Sequence, residues 1–481
     1  MVSEIGTATY LARANTLLRR RTVLAGLGAV AAGSAFTGLE RHLGQVAPPA
    51  SIPEAQIQIS YGQSWRNEAF RSFARFGNGR FSLNPQPANL RALHVTNIRR
   101  PGVPIMPGPL PNFAGVNFTG TIDGITSYGP NDFLTIGRCA VLAQQLLRAN
   151  ASKKVVPIIE FCVGYGASTW TGGADPGGLQ PGGRSWTNML SIIRSIDELV
   201  ARGVLGQQSA FRSVGYTQGG SQINVVAAKI ADLTAMLNDF DGLNLRGTNV
   251  TGLKYYLGIA APNSRQRILQ PSWWATCVFC RTHAPGRHGE WSGRCFASTP
   301  WYQWPFKKDD GIHTSDYGIA RHGEFEGYVK FLVEDLGVPW TPLWRSFTKP
   351  VLARGQTITL PFDRPAGNDF ARSAPAFSVG DDPDNQIPFA PQNGFHVRRN
   401  GIELSVTPEI SGMDVVLTVA ERLNRGDKLE VSYAIFGPGG PDPGPHSGVW
   451  GNLKMSGPAS VLFPGKSIDA WAWPFVEVVT V

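Results

Sequence analysis

Between about residue 55 and residue 335 the chain alternates between two hydrophobic periods. Strand-like runs (IQISYGQSW, KVVPIIEFCVGYG, FRSVGYTQGG, LKYYLGIAAP) are separated by runs with helical spacing of apolar positions. These are DFLTIGRCAVLAQQLLRAN, NMLSIIRSIDELVARGV, INVVAAKIADLTAMLNDF and a closing YGIARHGEFEGYVKFLVEDLG. A strand, helix, strand order of this kind predicts an α/β domain, with a mostly parallel sheet between two layers of helices. In such folds, sites are built from the loops at the carboxyl ends of the strands.

Near Pro339 and Pro342 the pattern changes. From about Phe347 to Val481 short alternating segments (GQTITLPF, GFHVRRNGIELSVTPEI, DVVLTVAE, KLEVSYAIFG, FVEVVTV) are separated by Gly, Pro, Asn and Asp, with RNG as a hairpin turn. This predicts a second, all-β domain of sandwich type. The expected divisions are 1–50, 51–345 and 346–481.

The first division reads as a leader. Arg19, Arg20 and Arg21 precede the uncharged run TVLAGLGAVAAGSAFTGL, which is followed by GQVAPPAS. Basic, then apolar, then small residues is the order of an export signal, and the paired arginines resemble a twin-arginine signal. Export to the periplasm or the extracellular space is expected, with no stable membrane span once the leader is removed. The net charge of +9 is spread thinly along 481 residues, without basic runs interleaved with aromatics, so no nucleic-acid partner is expected. The sequence carries no signal for oligomeric state.

Four places where strands or helices meet loops hold polar residues beside glycine: YGQSW with Ser64, VGYGASTW with Gly164 and Gly166, GYTQGGSQ with Gln218, and KKDDGIHTSDYG with Asp310 and His313. A serine nucleophile needs an imidazole base, a carboxylate to orient it, and N–H donors for the oxyanion. Asp310 and His313, separated by a Gly-containing turn, can supply base and orienting acid from one loop. The amides of Ser64 and Gly166 and the side chain of Gln218 can supply the donors.

The order of these pieces resembles the SGNH-type esterases, in the branch related to carbohydrate and sialate acetylesterases. There the serine lies in GQS, the third block reads QGE, and a DGxH motif precedes the last helix. The resemblance spans roughly residues 55 to 335. It implies a serine esterase acting on acylated, chiefly acetylated, carbohydrate. Ser64 is then the nucleophile, His313 the base and Asp310 its orienting acid, with Ser64, Gly166 and Gln218 forming the oxyanion hole. No metal or organic cofactor is implied. The C-terminal WGNLKMSG…SIDAWAWPF resembles the β-domain that follows such hydrolase domains. One departure is plain: Gly220 stands where the family's third block has glutamate.

Other features compete for attention. GYTQG has the form of a nucleophile elbow with Thr217 in the serine's place, although a β-branched residue suits that strained turn poorly. The missing glutamate also leaves room for an inactive hydrolase fold that only binds glycan or serves at the cell surface. Cys277, Cys280 and Cys295, with His283 and His288, hold enough soft ligands for zinc, or enough thiols for a disulfide across a Gly/Pro-rich loop. Trp273, Trp274, Trp301 and Trp304 fall in an expected loop insert, Pro271 to Phe306. That loop and Ser168–Arg184 are expected to shape specificity. Lys307 and Lys308 read as a solvated face beside Asp309, which is a second choice to Asp310. His322 and Glu324 on the closing helix read as surface residues.

Overall fold

The structure, a computed structural model, describes residues 54–62, 70–72, 92–95, 125–127, 133–154, 156, 158–164, 170, 179–201, 205–217, 225–243, 252–259, 268–300, 315–382, 388–437 and 449–481. The leader lies outside them. Residues Ile52–Val481 form one compact unit.

In its α/β part the described strands in chain order are β1 (Gln56–Gly62), β2 (Phe70–Ser72), β3 (Ala92–Val95), β4 (Ile125–Ser127), β5 (Phe133–Leu134), β6 (Ile158–Gly164), β7 (Ala210–Thr217), β8 (Lys254–Ile259) and β9 (Cys295–Pro300). The helices are α1 (Ile136–Asn150), α2 (Arg184–Ala201), α3 (Val226–Asp241), α4 (Pro271–Thr282) and α5 (Asp316–Lys330). Seven strands form one sheet in the order β4-β3-β6-β1-β7-β8-β9, while β2 and β5 pair separately. All neighbours in the sheet are parallel except β3 and β4. The chain leaves β1 towards β6 on one side and leaves β7 towards β8 on the other. The crevice between β1 and β7 is therefore the topological switch point, where open α/β sheets bind ligands.

The two faces of this sheet differ in chemistry. Alternation along β1 sends Ile57, Ile59 and Tyr61 to one face, where they join Trp186 and Met189 of α2, Phe240 of α3 and Trp273 of α4 in one apolar core. Gln58 and Ser60 go to the other face and are just as buried. That face is covered by α1 and α5 and held by hydrogen bonds. Gln58 Nε2 donates to Gln144 Oε1 of α1 (2.7 Å), and Lys330 Nζ of α5 donates to Gln58 Oε1 (2.9 Å). Lys330 also pairs with Glu326 at 3.0 Å, both almost fully buried. Arg148 of α1 meets Asp335 at 2.7 Å, and the Tyr256 hydroxyl donates to Glu334 (2.9 Å). These pairings offset the cost of burying polar groups, although the hydroxyls of Ser213 and Thr217 on the same face have no hydrogen-bond partner among the described residues.

The closing helix is therefore internal. His322 and Glu324, expected on the surface, are fully buried because α5 packs on the sheet, on α1 and on the C-terminal region at once. Contact with α1 depends on small residues: a Cβ on Gly323 would lie 2.6 Å from the Ile136 carbonyl oxygen, and one on Gly327 would lie 2.3 Å from that of Ala140. Within the segment expected to be a loop insert, Pro271–Thr282 is a helix and Cys295–Pro300 a strand, because α4 and β9 complete this end of the sheet; residues 301–306 lie outside the described residues.

A β-rich region of antiparallel sheets follows the α/β part. Its five-stranded sheet includes Thr357–Asp363, Val406–Ser411 and Asp414–Val419; a four-stranded sheet includes Phe395–Arg399, Lys428–Tyr433 and Phe475–Thr480. The RNG hairpin is present, with Arg399 opposite Ile402 and with Asn400 (φ 54°) and Gly401 (φ 80°) both left-handed, as a tight two-residue turn requires. The two regions share a core in which Tyr256, Phe296, Phe325 and Tyr328 pack with Ile358, Leu360 and Phe370.

Candidate active site at the carboxyl edge of the sheet

Ser64, Gly166, Gln218, Asp310 and His313 all lie outside the described residues, as do Trp301, Trp304, Lys307, Lys308, Asp309 and Gly220. The described framework is what leads into them. β1 ends at Gly62, β6 at Gly164 and β7 at Thr217, and these three ends are in register across adjacent parallel strands. Ser64 follows Gly62 by two residues, Gly166 follows Gly164 by two, and Gln218 follows Thr217 directly.

Helix α5 starts at this same edge. His322 packs beside Gly258 and Thr217 at the ends of β8 and β7, as a Cβ on Gly258 would lie 3.4 Å from its Cε1. At the opposite end of the sheet, Lys254 Nζ, on the first residue of β8, donates to the Val333 carbonyl just beyond α5 (3.2 Å). The helix thus runs antiparallel to the strands, with its first turn at their carboxyl ends. Its N-cap is Ser315, whose Oγ accepts from the Gly318 amide (3.1 Å). His313 precedes that cap by two residues.

Under this edge the apolar face is braced by aromatic rings. Tyr61 meets Trp170, Trp186 and Phe240 at centroid distances of 6.0, 6.4 and 5.5 Å, and its hydroxyl donates to the Leu179 carbonyl at 2.7 Å. Trp170 Nε1 donates to Asp239 (3.0 Å). Trp170 and Leu179 are thus both held in the core. Burial pushes the phenols of Tyr61 and Tyr216 well up, so both stay neutral.

Thr217 does not fit a nucleophile elbow. It is an extended residue of β7, fully buried, and its hydroxyl has no hydrogen-bond partner among the described residues. The hydroxyl lies against the β7–β8 seam, 2.5 Å from where a Cβ on Gly258 would be. An elbow would instead hold the side chain on an exposed turn.

The cysteine-rich segment does not form the site expected as one alternative. Cys277 and Cys280 of α4 and Cys295 of β9 are free, buried thiols, with no disulfide among them. Burial raises the Cys277 and Cys280 thiols, so both stay protonated. His283 packs against Phe279 (4.4 Å) and Trp291 (5.1 Å), and its Nδ1 accepts from the Trp291 amide at 3.4 Å. Burial lowers its pKa to about 4. No group of residues able to hold a metal ion occurs among the described residues. Trp273 is a core residue and Trp274 packs against that core.

Among the described residues, no helix is long and apolar enough to cross a membrane. No protein-family model matches the sequence, and no curated protein matches it. Solved structures that align with this chain include a carbohydrate acetylesterase from Xanthomonas citri, with 13% identity over 88% of this chain and 80% of that one, at a TM-score of 0.47. A protein from Arabidopsis thaliana aligns with 13% identity over 58% of this chain and 98% of its own (TM-score 0.34). NanS aligns with 10% identity over 60% of this chain and 99% of its own (TM-score 0.33).

Proposed function

We propose that this chain is an exported serine esterase of SGNH type that removes acyl groups, chiefly acetyl, from carbohydrate esters. The observation that carries the reading is the common end of β6, β1 and β7. Three adjacent parallel strands end in register and α5 starts at the same edge; in the chain, the serine, glycine and glutamine segments follow those strands and the DGxH segment precedes α5. A two-sided, three-layer arrangement of helices around the sheet belongs to the same reading.

In the proposed reaction Ser64 Oγ attacks the ester carbonyl carbon while His313 takes its proton, and Asp310 holds the imidazole in the tautomer that accepts it. The developing oxyanion receives hydrogen bonds from the Ser64 and Gly166 amides and the Gln218 side chain. The C–O bond then breaks, and His313 returns the proton to the departing sugar hydroxyl. Water attacks the acyl-enzyme with His313 again as base, releasing acetate and restoring Ser64.

A fluorophosphonate probe followed by peptide mapping tests the nucleophile. Modification of Ser64 supports the reading. Modification of another serine refutes Ser64 as the nucleophile and moves the chemistry elsewhere; modification of none refutes the reading and favours an inactive hydrolase fold that binds glycan, which the glycine at position 220 also suits.

A further inference from the structure

The first two turns of α5 are held by the β-rich region through a buried polar cluster. Ser315, the N-cap, accepts from the Gly318 amide and donates its own hydroxyl proton to Asp382 Oδ2 (3.0 Å). Asp382 is only 1% exposed. One turn on, Arg321 pairs with Glu324 and, at 3.3 Å, with Asp381, and it donates to the Ser467 carbonyl. Glu324 accepts from the Ser460 hydroxyl and from the Leu462 amide (2.8 Å). Tyr317 packs edge-on against Phe463 (5.2 Å).

Two loops of the β-rich region, around 381–382 and 460–467, therefore grip the end of α5 that follows the DGIH segment. A packing interface between regions needs only apolar contact. This one places a carboxylate on the capping serine, where it fixes the hydroxyl rotor and favours the positive end of the helix. His313 precedes Ser315 by two residues in the chain.

We propose that Asp382 is a positioning residue for the candidate base: through Ser315 it fixes the start of α5, and so the place from which His313 acts. This rests on the esterase reading. It makes the β-rich region part of the catalytic apparatus and not solely a glycan-binding appendage.

The test uses the purified protein with p-nitrophenyl acetate and compares Ser64→Ala, Asp382→Ala, Asp382→Asn, Ser315→Ala and Tyr328→Phe. The last loosens α5 at its far end, where the Tyr328 hydroxyl donates to Asp369 (2.7 Å). Misplacement of a base by about 1 Å predicts a kcat loss of roughly tenfold to a hundredfold in Asp382→Ala and Ser315→Ala, with KM within about twofold. The lower limb of the kcat/KM pH profile should move as well. Asp382→Asn, which can still accept from Ser315, should recover part of kcat. Tyr328→Phe should lower melting temperature and leave kcat and the pH profile in place. Parental kcat in Asp382→Ala and Ser315→Ala beside an inactive Ser64→Ala overturns the positioning role alone. So does a kcat loss that follows melting temperature equally in Tyr328→Phe. An inactive parent or an active Ser64→Ala overturns the esterase reading, and the positioning role falls with it.

Discussion

Gly62, the last residue of β1, stands in register with Thr217, the last residue of β7, across the switch point of the sheet. The two ends differ in what comes next: a serine two residues after Gly62, a glutamine immediately after Thr217. Thr217 itself is buried, and its hydroxyl has no partner among the described residues. Replacing such a group by an isosteric apolar one is neutral or stabilising. Thr217→Val should keep its melting temperature or raise it, and should keep esterase activity. Loss of activity in a folded Thr217→Val would return the chemistry to the elbow.

The pair Lys330–Glu326, with Gln58 as third member, lies between the sheet and α5 with almost no exposure. Removing one partner leaves a buried charge alone, which costs roughly 3–5 kcal/mol. Lys330→Met should lose that much in urea unfolding. The double variant Lys330→Met/Glu326→Gln should recover part of it, and strict additivity would mean that the two charges do not act on each other.

Gly327 of α5 lets α1 approach to backbone contact, since a Cβ there meets the Ala140 carbonyl oxygen at 2.3 Å. Gly327→Ala forces the helices apart and should cost roughly 1–3 kcal/mol despite the better helix propensity of alanine. An exposed glycine in a helix would give the opposite sign, so a stabilised variant would contradict this packing.

His283 is held neutral by burial, its pKa lowered from 6.5 to about 4. Between these values the unfolded chain binds a proton that the folded chain does not. Stability contributed by the neutral ring is complete above about pH 6.5 and is lost as pH falls from there through about 4. Urea midpoints of the parent should fall over that window more steeply than those of His283→Phe. Parallel curves would show that the ring titrates normally in the fold.

Much of the α/β part was legible in the sequence because β1, β6, β7 and β8 carry strong apolar runs that stop at glycine or a turn. The RNG hairpin was legible from chemistry alone, because Asn400 and Gly401 tolerate the left-handed backbone it needs. What escaped was the inner role of α5. ARHGEFEGYVK lacks an apolar stripe, since its buried side chains find polar partners far away in sequence: Arg321 at Asp381, Glu324 at Ser460, Lys330 at Gln58. The apolar WWATCVFC run was hidden by its tryptophans and cysteines, which suggested a specificity loop with metal or a disulfide and in fact build a core helix. The candidate site residues were legible only as motifs; the register of Gly62, Gly164 and Thr217 is a property of the assembled sheet that no local pattern carries.

The most direct measurement is hydrolysis of p-nitrophenyl acetate by the purified protein beside Ser64→Ala and His313→Ala. The account predicts turnover in the parent and a loss of about 10³-fold or more in each variant, because serine and base act as one unit. Parental activity in a folded Ser64→Ala would contradict it.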